Sequence, residues 1–163
     1  MQTRICIDED IVSLLHCASD DKDIYKLGMF DNWAQYQKWL ITCVYNKSSY
    51  QVLVAVEEWG VIGFLVWDLY QVYYKWLAYL HYIYVGEDFR KSDVSDKLVL
   101  EFIHNCYNSR AQRLKFDSRV LPAQWVEAIS SDAPLSEYKT FYTGRTAELT
   151  EWYNTHIKPL KES

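Results

Sequence analysis

The run from Tyr50 to Val85 constrains the fold more than any other part of the chain. Val52, Val54 and Val56 alternate, with apolar residues on both sides until Glu57. Glu58-Trp59-Gly60 reads as a hairpin turn, and Val61 to Leu69 as a second strand. Gln71 to Tyr74 then connects to a third strand, Lys75 to Val85, dense in Tyr, Trp and Leu. Three consecutive long strands joined so briefly form an antiparallel meander.

The segments on either side extend this picture. Thr3 to Ile7 alternates weakly as a short strand, and Asp8 to Asp10 put acids at the start of a helix carrying Ile11, Leu14, Leu15 and Ala18. Asp31-Asn32 cap a second helix with Trp33, Tyr36, Leu40, Ile41 and Val44 on one face. After the meander, apolar positions 94, 98, 99, 102, 103, 106 and 107 have helical spacing, and Arg113 to Ser118 alternates as a strand. Strand, helix and strand within this span make a βαβ unit. Pro122 opens a short helix holding Trp125, Val126 and Ile129, and Tyr138 to Thr143 alternates again. From Thr146 onward, Leu149, Trp152, Tyr153 and Ile157 fit either a helix or an irregular packed segment.

Composition narrows the function. Seventeen basic against twenty-two acidic residues give a net charge of −5, which is no nucleic-acid footprint. No apolar run reaches the length that crosses a membrane, and the start of the chain lacks a signal-peptide pattern. Cys6, Cys17, Cys43 and Cys106 form no C-x-x-C pair, and no His stands at zinc-ligand spacing, so the expectation is reduced thiols in a cytoplasmic protein without a metal site. Three Pro, five Gly and no repeat or linker predict one domain over residues 1–163. Fourteen Tyr and seven Trp are more rings than a chain this size buries fully, so some are expected to line a groove, an interface or a homodimer contact.

The corner between third strand and helix reads YVGEDFRKSDVSDKL, residues 84–98. An apolar strand ends, a basic pair follows and a helix begins. With the element order above, this resembles the GNAT superfamily of acyl-CoA-dependent N-acetyltransferases over roughly residues 3 to 145. The resemblance implies an α+β fold, an α/β/α sandwich with a mixed sheet of about six to seven strands flanked by helices. It implies acetyl-CoA as co-substrate and, as acceptor, an amine on a small molecule, peptide or protein. Cofactor contacts fall on Tyr84, Val85, Arg90, Lys91, Ser92, Asp93, Val94 and Ser95, with a backbone N–H near Tyr84 or Val85 as oxyanion donor.

The departure from the family pattern is as informative. Where the family writes Arg/Gln-x-x-Gly-x-Gly/Ala, this chain has Asp93 and Ser95 at the two small positions. Glycine lets backbone N–H groups approach a pyrophosphate at a helix N-terminus, whereas Asp93 adds negative charge there. A competing structural reading has Ser92 or Asp93 capping the helix through its side chain.

Acyl transfer to an amine also needs a base and a proton for the leaving thiolate. His81, four residues before the corner, is the candidate base, although a hydrogen-bonded sheet histidine is the commoner role for such a residue. Asp68 and Glu57, at strand ends, are candidates for binding the substrate amine, or are solvated acids. The segment PAQWVEAISSD lacks the Tyr that the resemblance implies for the thiolate; Ser118, Tyr138 and Tyr142 are the available hydroxyls, and of these Tyr142 is the candidate acid. The alternative is a catalytically inactive module of the same fold, acting through its aromatic surface on a protein partner.

Overall fold

A computed structural model of the chain describes residues 1–121, 135–138 and 141–156. In chain order the elements are β1 (Gln2–Ile5), α1 (Ile11–Ser19), α2 (Trp33–Tyr45), β2 (Tyr50–Glu57), β3 (Gly60–Val72) and β4 (Lys75–Val85). They continue as α3 (Val94–Asn108), β5 (Arg113–Asp117), β6 (Leu135–Tyr138), β7 (Phe141–Arg145) and a last helix, here α4 (Thr146–His156). The strands form one seven-stranded sheet in the order β1-β2-β3-β4-β5-β7-β6. Every neighbouring pair is antiparallel except β4 and β5.

The meander stands as expected, with β3 longer than its sequence pattern implied. Its far end closes on β4 through Tyr73 and Tyr74, both at positive φ (47° and 66°) and about fully exposed. Such a turn normally takes Asn or Gly. The first strand ends at Ile5 rather than Ile7, because Ile7 starts a helical turn instead: its N–H donates to Asp10 Oδ2 at 2.9 Å. Asp10 is buried and also holds the Arg4 guanidinium, tying β1 to the start of α1. Asn32 caps α2 as expected, accepting from the Gln35 N–H at 3.1 Å.

Two stretches depart from the sequence expectation. The single strand at Tyr138 to Thr143 is instead two antiparallel strands, β6 and β7, meeting at Tyr138 and Phe141. The alternation runs straight through both, and no Gly or Asn marks the reversal. The tail from Thr146 takes the helical of its two readings. The short helix expected after Pro122 lies outside the described residues.

The helices cover both faces. On one side Tyr36 of α2 and Tyr82 of β4 reach the same buried carboxylate, Asp21, just after α1. On the other, α3 lies so close to β3 that a Cβ on Gly63 would stand 3.0 Å from the Tyr84 carbonyl and 3.2 Å from Val94. Phe102 of α3 packs edge-on against Trp67, with ring centroids 5.5 Å apart.

Candidate active site

One strand builds the site. β4 pairs with β5 only from Leu77 opposite Arg113 to Leu80 opposite Phe116. At that point β4 gains a residue: Leu80 faces Trp67 and Tyr82 faces Val66, leaving His81 as a bulge. A bulge bends its strand and ends regular pairing. Among the described residues, His81 to Val85 then run on beside β3 without a partner on the β5 side.

The alternation of an antiparallel ladder fixes which backbone groups point into this split. The Gly86 N–H donates to the Ile62 carbonyl at 2.9 Å, so Tyr84 turns its amide toward Phe64. Ile83 and Val85 turn theirs the other way, toward the side β5 has left. In agreement, the Val85 carbonyl accepts from Arg90 Nε at 3.3 Å rather than from β3. Of the two backbone donors named from the sequence, Val85 is therefore the one that faces the gap.

A cleft of about 320 Å³ occupies the split, within the size range of small-molecule sites. Tyr82, Tyr84, Arg90, Asp23 and Leu27 line it on the α1–α2 side; Ile83, Val85 and Ser95 lie toward α3; Arg119, Val120 and Leu121 close it beyond β5. The cleft is thus lined from both faces of the sheet.

Of the two sequence readings of the corner, the capping one fails for Asp93. Asp93 occupies the N-cap position of α3 but makes no side-chain cap hydrogen bond. Its carboxylate instead lies 2.8 Å from Lys97 Nζ, one turn along the helix. Ser92 Oγ donates to the Phe89 carbonyl at 2.6 Å and meets the Val94 N–H only at 3.4 Å. The negative charge at the glycine position is neutralised by Lys97 rather than laid across the helix amides.

Arg90 takes a different place from the one the phosphate reading implied. Its guanidinium lies over the Tyr84 ring, 5.6 Å from the centroid, and its Nη2 is 3.8 Å from Asp23. Both neighbours belong to the α1–α2 side. Lys91, Ser92, Asp93 and Val94 do not line the cleft; Val94 is buried against Gly63.

His81 lies next to the split, on the bulge, with Nε2 3.1 Å from Asp68 Oδ1. The two atoms are buried and close, yet misaligned for a hydrogen bond. Tyr79 and Tyr50 flank the imidazole, with centroids 4.5 and 5.5 Å away. The structure therefore brings two residues named from sequence, His81 and Asp68, together. Glu57 stands apart, 3.2 Å from the Met1 amino group at the other end of β2. Tyr142 pairs with Phe116 in the β5–β7 ladder; its side chain is outside the described residues.

Two groups escaped sequence reasoning, Asp21 and Arg119. Asp21 is fully buried, accepting from the Tyr82 hydroxyl (2.7 Å), the Tyr36 hydroxyl (3.2 Å) and the Asp23 and Ile24 amides. Burial pushes its carboxyl above the ordinary carboxylate range, against the pull of those donors. Arg119 is held by the carboxylate of Asp117, whose carboxyl lies below its ordinary value: burial opposes the ionised form, but the hydrogen bonds from Arg119 prevail. A run of acids and an isolated Arg carry no pattern that marks them. Tyr84, named from the sequence, is 5% exposed, and its hydroxyl makes no well-formed hydrogen bond among the described residues.

No family model matches the chain, and no curated protein matches it in sequence. Solved structures do match. A putative GNAT-family acetyltransferase from Desulfovibrio desulfuricans superposes with a TM-score of 0.66 at 12% identity, covering 89% of this chain and 98% of its own. An aminoglycoside acetyltransferase from an uncultured soil metagenomic sample, in complex with sisomicin, gives 0.61 at 16% identity, covering 85% and 90%. A transcriptional regulator from Bacillus halodurans gives 0.62 at 16% identity, covering 85% and 97%. Identities this low speak to fold rather than activity. On the evidence of the 1-2-3-4-5-7-6 sheet, the bulged and splayed fourth strand and these superpositions, the chain has the fold of the GNAT superfamily of acetyltransferases.

Proposed function

We propose that the chain is an acetyl-CoA-dependent N-acetyltransferase that works in the split between β4 and β5. The observation that carries this reading is the run Ile83 to Val85, which among the described residues has no partner on its β5 side and turns the Ile83 and Val85 amides into a cleft beside the start of α3. An extended, amide-bearing arm can lie there as an added strand. The residues present fit such a ligand. The split supplies unpaired backbone groups, Ser95 keeps the first turn of α3 small, and Asp93 is drawn off toward Lys97. Bound acetyl-CoA would supply an activated thioester; the Val85 or Ile83 N–H would polarise its carbonyl.

His81 with Asp68 is the base in this reading. In it the imidazole, with Asp68 Oδ1 3.1 Å from Nε2, takes a proton from the acceptor amine, directly or through water. Burial holds the Tyr79 and Tyr50 hydroxyls in their neutral form, so neither competes as a base. Glu57 has no place in this arrangement.

Thermal unfolding with and without acetyl-CoA tests the reading. A ligand at a hundred times its Kd adds about 2.7 kcal/mol, which raises the midpoint by roughly 5–10 °C for a chain of this size. An unchanged midpoint at millimolar acetyl-CoA would favour a non-catalytic module instead.

A further inference from the structure

The α1–α2 side of the cleft holds groups that transfer from acetyl-CoA does not by itself require. Arg90 stacks on Tyr84, gives Nε to the Val85 carbonyl, and lies near enough to the Tyr84 hydroxyl to offset part of the upward push of burial on it. Its Nη2 is 3.8 Å from Asp23, longer than the 2.7–2.9 Å of a charge-assisted hydrogen bond. Beside it the Tyr84 hydroxyl is enclosed, and among the described residues it makes no well-formed hydrogen bond, only the approach of Arg90. Folding leaves such a group unsatisfied at a cost, and ligand binding is a standard reason for keeping it. Asp21 does not fill this role, since it is sealed under Tyr82 and Tyr36 with four donors of its own. A guanidinium and a neighbouring hydroxyl make a receptor for a planar oxyanion, and Asp23, on the same rim, accepts from Lys26 Nζ through Oδ1 at 2.7 Å while its Oδ2 faces the cleft side beside Arg90.

We infer that this mouth selects acceptor amines that also carry a carboxylate, with Arg90 and the Tyr84 hydroxyl receiving the carboxylate and Asp23 drawing the amine end. The inference rests on the transferase reading above and adds the acceptor's chemical class. An acceptor of this kind separates Arg90 from Asp23 Oδ2, giving each a closer partner than the other provides, and gives the Tyr84 hydroxyl an acceptor. Simple amines reach Asp23 Oδ2 alone and give the hydroxyl none.

The test is thiol release from acetyl-CoA by the full chain, with acceptors offered in matched pairs: glycine and methylamine, L-phenylalanine and phenethylamine, L-lysine and cadaverine. The carboxylate-bearing member of a pair is expected to have the higher kcat/KM, by about tenfold or more. Tyr84→Phe and Arg90→Gln should each bring the pair toward parity. Removing a hydroxyl that makes no well-formed hydrogen bond should leave the unfolding midpoint of the free Tyr84→Phe protein unchanged or raised. Equal or better use of the simple amines, or turnover of neither class, overturns the inference, as does a lowered midpoint for free Tyr84→Phe. Calorimetric titration with acetyl-CoA separates the two levels. Binding without a carboxylate preference defeats this inference alone, whereas no binding defeats the transferase reading beneath it.

Discussion

Two side chains decide what the split can do. His81 owes its position to being the extra residue on β4, which turns it toward Asp68 where the β5 ladder stops. His81→Gln should lower kcat by about a hundredfold, the usual weight of a general base. Acetyl-CoA affinity, followed by calorimetry, should be unchanged; a parallel loss of affinity would make His81 a structural residue. Ser95 is buried at the first turn of α3 and borders the cleft. Ser95→Tyr should fill the approach to the helix start and abolish any acetyl-CoA-dependent rise in the unfolding midpoint. Much at this scale was legible beforehand, because the corner's order of strand, basic residue and helix is local. The sequence put Tyr84, Val85 and Ser95 at one corner with His81 four residues before it, but not Asp68 beside His81, nor the inward turn of Arg90, which depends on Asp23 arriving from a distant loop. Glu57 misled for the same reason: a carboxylate at a strand end looks identical in sequence whichever edge of the sheet it faces.

Element by element, stability concentrates where helices meet strand ends. Asp10 receives the Arg4 guanidinium and the Ile7 N–H, and the Arg4 hydrogen bond, foremost, holds its carboxyl below the ordinary range. A lowered value means stability that is complete above the unfolded carboxylate's pKa, about 4, and lost as pH falls through the lower folded value. Asp10→Asn should therefore cost about 1–2 kcal/mol at pH 7, a gap that urea unfolding should find narrowing below pH 4. At the β3–β4 tip, Tyr73 and Tyr74 hold left-handed backbone with rings in solvent. Replacing the pair by Asn-Gly should stabilise by about 1–2 kcal/mol, read in the same denaturation. Strand and helix identities were readable because hydrophobic period survives in local sequence. The β6–β7 reversal was not, since alternation continues across it without a turn residue, and β pairing is settled by partners far along the chain.

For the molecule as a whole, the sheet's single parallel junction is the functional element. β4 and β5 come from a βαβ crossover, and they separate because the His81 bulge bends one strand while the other ends at Asp117. Gly63 fixes the second wall by letting α3 settle against β3. Gly63→Ala forces a Cβ against the Tyr84 carbonyl and Val94, and should cost about 1–3 kcal/mol in thermal unfolding while weakening acetyl-CoA binding, because the start of α3 moves outward. Chain order made the meander and crossover foreseeable, whereas the split itself needed the register of three strands at once. The account stands most directly on which β4 amides are unoccupied in the free protein. Residue-resolved hydrogen exchange on β4, with and without saturating acetyl-CoA, measures this. The split-site account predicts slower exchange at Ile83 and Val85 on binding, with little change at Tyr84, whose amide already faces Phe64. Bound acetyl-CoA that left Ile83 and Val85 exchanging as in the free protein would contradict it.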